Sequence, residues 1–136
     1  MSTHSFIGKE NTDGSIRAIY CHFDGYPEHV GNVLKEHYTA GEKVDELLDL
    51  GDLSYLAPYV EPQPELPHSF DGNHQRDVCL AYGRDRGEKG VEAKNYKNRR
   101  DFINGGSHMG ASYWYLHHNG TWKTLRRGEE YGELPQ

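Results

Sequence analysis

Two short runs near the start of the chain, residues 4–10 and 16–23, are rich in aromatic and β-branched side chains, and Asp13-Gly14 lies between them. Asp-Gly accepts the positive φ of a tight turn, so this pattern predicts an opening β-hairpin. A period of two then places Ile19, Cys21 and Phe23 on one face, as core, and Ala18, Tyr20 and His22 on the other, beside Asp24. After Asp24-Gly25 the signal changes. Pro27 and Glu28 suit a first helical turn, with Asp24 or Tyr26 as its cap, and Val30, Val33, Leu34 and Tyr38 recur on one face. Residues 42–50 predict a second helix with Val44, Leu47 and Leu48 inward and Gly51 as a left-handed cap. Residues 52–58 add one more short helical turn. Pro58, Pro62, Pro64, Pro67 and Gly72 leave 58–77 as a long loop, a length that invites a functional explanation.

Residues 78–82 read as a short central strand, 83–87 as a charged loop, and 97–103 as a helical turn ahead of Gly105-Gly106. Residues 112–117 and 121–125 flank Asn119-Gly120, a second hairpin, and 128–136 read as an untethered tail. The expected assembly is a single α+β domain over 1–136. It has a small antiparallel sheet, made of two hairpins plus one strand, with two helices packed on one face.

Composition sharpens this picture in three ways. Only 35% of the 136 residues are hydrophobic while ten are tyrosines, so the core is modest and its edges are aromatic; such rings either cover the core or form a contact surface. Cys21 and Cys79 form no C-x-x-C pair and read as buried, reduced thiols. No apolar run approaches bilayer length and no basic-then-apolar leader opens the chain, so a cytoplasmic protein without a membrane partner is expected.

Charge adds more. The net value of −6 argues against generic nucleic-acid coating, which draws its strength from neutralised phosphates. Residues 41–66 hold seven acids against Lys43 alone, whereas 84–127 hold ten bases against four acids. Either the fold keeps an acidic face (Glu42, Asp45, Glu46, Asp49) apart from a basic one, or the two zones pair, within one subunit or between subunits of a homo-oligomer.

His22 and Asp24, with His29 and His37 following, are ligand types for zinc or manganese. No metal-site spacing accompanies them, so a turn held by Asp24 is the stronger reading. No G-x-S-x-G, phosphate-binding loop or dinucleotide fingerprint occurs, and the adjacent letters of His68-Ser69-Phe70-Asp71 do not make a spatial relay. No catalytic residue and no cofactor is assigned. Arg84, Arg86, Arg99 and Arg100 with Tyr82, Tyr96, Tyr113 and Tyr115 suit a planar anion, since guanidinium forks bind phosphates and rings stack on bases. With Tyr20, His22, Asp24 and Tyr26 they complete the candidate binding residues.

The block Tyr20-Cys21-His22-Phe23-Asp24-Gly25-Tyr26-Pro27 resembles a family of small bacteriophage and prophage proteins to which no reaction is assigned. So do Ser5-Phe6-Ile7-Gly8, Leu50-Gly51-Asp52-Leu53-Ser54 and Ala81-Tyr82-Gly83-Arg84-Asp85-Arg86-Gly87. The likeness covers most of residues 1–88. It implies an accessory protein acting in the host cytoplasm. The expected function is non-catalytic binding that inhibits a host defence or nucleic-acid enzyme. Its alternatives are a sponge for an anionic nucleotide signal and a metal-dependent hydrolase or nuclease using His22 and Asp24.

Overall fold

In the computed structural model, which describes residues 3–70, 72–127 and 132–133, the opening hairpin forms as expected. Strands β1 (Ser5–Glu10) and β2 (Ile16–Cys21) run antiparallel, with Ser5 opposite Cys21 and Glu10 opposite Ile16. A wide π-helical turn over Pro27–Gly31 leads into α1 (Asn32–His37), and α2 (Gly41–Asp49) follows. Tyr26 stands at the head of that turn without a side-chain capping bond, so neither expected cap is used through its side chain. Val30, Leu34 and Tyr38 are buried, and Val44, Leu47 and Leu48 are buried on α2, as their spacing predicts.

The sheet differs from the expected one. Its order is β4-β3-β2-β1-β6-β7-β8, with β5 joined to β2 off this path. Residues 53–55, read as helix, form β3 (Leu53–Tyr55), parallel to β2 through Cys21 and Leu53. A parallel pair needs a crossover, and α1 with α2 supplies it. The pair at residues 80–81, β4 (Leu80–Ala81), is an edge strand rather than a central one, and Tyr82, read as the end of that strand, opens α3 (Tyr82–Arg86), which occupies most of the expected loop at 83–87.

The second half holds further differences. β5 (Lys94–Tyr96) was not foreseen and lies antiparallel to the start of β2. α4 (Arg99–His108) runs straight through Gly105-Gly106, capped where the Asn98 side chain accepts a bond from Asp101 N–H. β6 (Tyr113–His118) and β7 (Thr121–Arg126) make the second hairpin, with positive φ at Asn119 and Gly120. β6 also lies parallel to β1, so the sheet is mixed. The expected tail falls outside the described residues except for β8 (Gly132–Glu133), whose backbone pairs with β7.

Helices cover both faces of this sheet, not one. Ile7, Ile19, Cys21 and Tyr115 pack with α1 and α2, whereas Phe6, Ile16, Ala18, Trp114 and Leu116 pack with Phe102 of α4. Gly8 makes room for the second layer: a Cβ there would stand 2.8 Å from Ile16 Cγ2 and 2.9 Å from Phe102 Cε1. Among the described residues no helix is long and apolar enough to cross a membrane.

Candidate functional site

The end of the sheet where β2 stops is built to hold one turn still. His22 N–H and Phe23 N–H donate to Leu53 O and Ser54 O of β3, both at 2.9 Å. Asp24 takes φ 55° and swings the chain over, after which Gly25 N–H donates to Thr3 O at 2.8 Å and Gly25 O accepts from the Tyr115 hydroxyl at 2.7 Å. A left-handed residue is tolerated best by Asn, Asp and Gly, which accounts for Asp24 here. The consequence is exposure. Phe23, expected in the core, is 43% exposed because β2 has ended before it, and Tyr26 is 37% exposed.

Facing this turn is the excursion over residues 58–77, whose described residues are tied down at several points. Tyr59 bridges Val78. The Gln75 amide accepts from Gln63 N–H at 2.7 Å and donates to Gln63 O and Leu66 O at 3.0 Å. His68 Nδ1 accepts from Gln75 N–H at 3.0 Å, so its proton sits on Nε2, 3.0 Å from Cys79 O. His74 Nε2 donates to Val78 O at 2.6 Å.

Between turn and excursion lies a groove of about 540 Å³ whose lining includes Phe23, Ser54, Tyr55, His74, Asp77 and Leu80. The Tyr55 ring leans on His29 at 4.8 Å and meets the edge of His74 at 5.6 Å. Burial raises the Tyr55 phenol above its ordinary value, and the charges of Asp24 and Asp77 push the same way. A second groove of about 530 Å³ lies beyond the ridge Gln75–Asp77, against Tyr59, Glu61, Leu66 and Val78.

On the opposite side of β2, Tyr20 and His22 do come together as their period of two requires. The Tyr20 hydroxyl and His22 Nδ1 share a 2.7 Å hydrogen bond, His4 stacks on His22 at 4.5 Å, and His4 Nδ1 donates to His22 O at 2.7 Å. Burial pushes the Tyr20 phenol up to about 12, and burial with the neighbouring His4 charge pulls the His22 ring below the usual histidine range. Phe23 meets His22 edge-on at 4.5 Å, linking this lip to the groove. Asp24 instead accepts from the Tyr26 hydroxyl at 3.4 Å. Among the described residues no three His, Cys, Asp or Glu side chains are grouped as metal ligands. Cys21 and Cys79 are buried, with thiols raised by that burial, which makes neither a ready nucleophile.

The four arginines are dispersed. Arg84 is structural: its guanidinium donates to Val60 O, to Cys79 O at 2.8 Å and to Asp85 at 2.9 Å. Arg86 bonds Glu88 at 2.6 Å and lies 4.7 and 4.9 Å from the Phe70 and Tyr82 rings, which stack at 5.5 Å. Arg99 is held at 2.8 Å by Glu10 at the far end of β1, and Arg100 is exposed on α4. Tyr115 is fully buried and Tyr113 is half-buried against the core, so these two do not form the ligand-stacking surface expected of them. On α2, Glu42 and Glu46 are exposed, while Asp45 pairs with Lys9 at 3.0 Å and Asp49 with Arg17 at 2.6 Å. Both cations come from the first hairpin, not from the basic zone.

Of the sequence candidates, Asp24 and Tyr26 lie on the turn beside the grooves, whereas Tyr55, Tyr59, Leu66, His74 and Asp77, which line them, were not among the candidates. The one signal pointing to most of them was the length of the proline-rich stretch. No protein-family model matches this chain, and neither a curated protein nor a solved structure matches it.

Proposed function

We propose that this chain is a non-catalytic binding protein that engages a protein partner through the end of its sheet, and that the partner is a host defence or nucleic-acid enzyme which it inhibits. The identity of the partner class rests on the phage-protein resemblance of residues 1–88. The binding surface rests on one observation. Of the five exposed large hydrophobic side chains among the described residues, Phe23, Tyr26, Tyr59 and Leu66 belong to the turn and the excursion around the two grooves, and only Met109 lies elsewhere. Exposed apolar side chains scattered singly need no explanation, but a cluster beside preformed grooves is the anatomy of an interface. The surface is also preorganised: backbone and side-chain bonds fix both its walls, so less ordering entropy is lost on binding.

A nucleotide sponge needs convergent cations, and Arg84 and Arg99 are engaged with Asp85 and Glu10 on different parts of the sheet. The protein-partner reading is therefore preferred. Its test is affinity capture from host cells with three forms of the full chain: wild type, Phe23→Ala with Tyr59→Ala, and charge reversal of Glu42 and Glu46. The expected result is a protein retained by wild type and by the charge-reversed form and lost from the alanine variant. Retention by the alanine variant with loss from the charge-reversed form would move the interface to α2 and sink this surface.

A further inference from the structure

The two grooves share a ridge, Gln75–Asp77, and Arg76 on that ridge is the single Lys or Arg lining either of them among the described residues. Against it stand Asp77 on the same ridge and Glu61 in the second groove, and Asp24, next in the chain to the lining residue Phe23, is near enough for its charge to act on Tyr55. Asp24 has the Tyr26 hydroxyl for company, and no ion pair to Asp24 or Asp77 exists among the described residues. Their setting is aromatic. Phe23 and Tyr55 wall the groove, and Tyr55 is backed by the rings of His29 and His74. A carboxylate in an aromatic-walled groove attracts an organic cation twice, through charge and through the ring quadrupole. A purely apolar occupant would instead strip water from the unpaired Asp77 carboxylate without replacing it.

We infer that the groove between Phe23, Tyr55 and Asp77 takes an arginine or lysine side chain of the partner, so that the segment recognised by this protein is a basic one. This inference rests on the binding-surface reading given above. The chain's net charge of −6 favours the same partner, since it attracts a basic surface at long range. Arginine fits better than lysine: its guanidinium is planar, more weakly hydrated, and matches both a carboxylate and a ring face.

The test uses the intact ¹⁵N-labelled protein and two probes of one shape, N-acetyl-argininamide and its uncharged isostere N-acetyl-citrullinamide. The arginine probe is expected to shift the amides of Phe23, Tyr55, His74 and Asp77 saturably, with the citrulline probe about 3- to 10-fold weaker. Salt is expected to narrow the gap. Asp24→Asn with Asp77→Asn removes both charges while keeping residues that tolerate φ values of 55° and 62°, so the fold is retained and the two probes should become equal. Equal responses in the wild type, or no response to arginine at these four amides, overturns the inference. The binding-surface reading then still stands if partner capture depends on Phe23 and Tyr59, and it falls separately if capture does not.

Discussion

Arg84 shows how much one side chain holds in place. Its guanidinium satisfies Val60 O and Cys79 O and closes on Asp85, whose carboxylate is only 4% exposed and also accepts from Ala81 N–H at 2.8 Å. His68 Nε2 approaches the same carboxylate at 3.4 Å. Removing the cation strands a buried anion and two carbonyls, and breaking such a pair from one side costs about 3 kcal/mol. Arg84→Ala is therefore expected to lower the urea midpoint strongly, with hydrogen exchange quickening first at residues 59–79. Arg84→Lys recovers only part, because an ammonium cannot span the same fork of acceptors. A melt unchanged in Arg84→Ala would refute this account. In the sequence, Arg84 is legible as a cation but not as a structural one. Besides the neighbouring Asp85, its acceptors are backbone carbonyls, 5 and 24 residues away, to which no residue type points.

At the scale of elements, α4 sets intrinsic preference against packing. Glycine weakens a helix by roughly 1 kcal/mol relative to alanine, so propensity alone makes Gly106→Ala stabilising. Packing reverses the sign. A Cβ at Gly106 would run into Nε1 of the buried Trp114 indole, and overpacking of this kind costs typically 1–3 kcal/mol. Gly105 faces the outer end of Tyr96, at 2.6 Å from Cε1, and that half-buried ring has room to yield. Gly106→Ala is thus expected to lower the melting temperature and Gly105→Ala to change it far less, measured by thermal unfolding. The reverse ranking would show that α4 is not seated on Trp114 through Gly106.

The same competition explains which elements were legible. Both hairpins carried Asp-Gly or Asn-Gly at their turns and appeared where expected. β3 did not, because its successive residues Leu53 and Ser54 are both buried, at no more than 4% exposure, so a strand this short shows no alternation. The buried Leu53, Leu56 and Ala57, which run past the end of that strand, have spacing that imitates one face of a helix. The turn that carries Phe23, Asp24 and Tyr26 stood out as a dense local block, whereas the far wall of the groove, His74 and Asp77, is brought there by pairings such as Tyr59 with Val78 that leave no local trace.

For the whole molecule, three partly buried groups, His22, Glu10 and Asp52, bear on how the fold responds to acid. His22 is held below its ordinary value, chiefly by burial and then by His4, so the fold favours the neutral ring. That contribution is complete above the unfolded value of about 6.5 and is lost as pH falls through the lower folded one. Glu10 is held down by its hydrogen bond to Arg99, with His118 alongside at 2.8 Å, so its share is present above about 4.5 and disappears on further acidification. Asp52 works the other way. Burial raises it although its carboxylate accepts from Tyr20 N–H at 2.9 Å, so the charged form costs stability at neutral pH and the cost fades as pH drops. Asp52→Asn keeps an acceptor for Tyr20 N–H and removes the charge. Chemical unfolding at pH 7.5 should then find the variant more stable than wild type, with the difference shrinking toward pH 4 as wild-type Asp52 takes up its proton. A variant less stable at pH 7.5 would mean that Asp52 is held by a cation the charge needs, rather than penalised by burial beside β2.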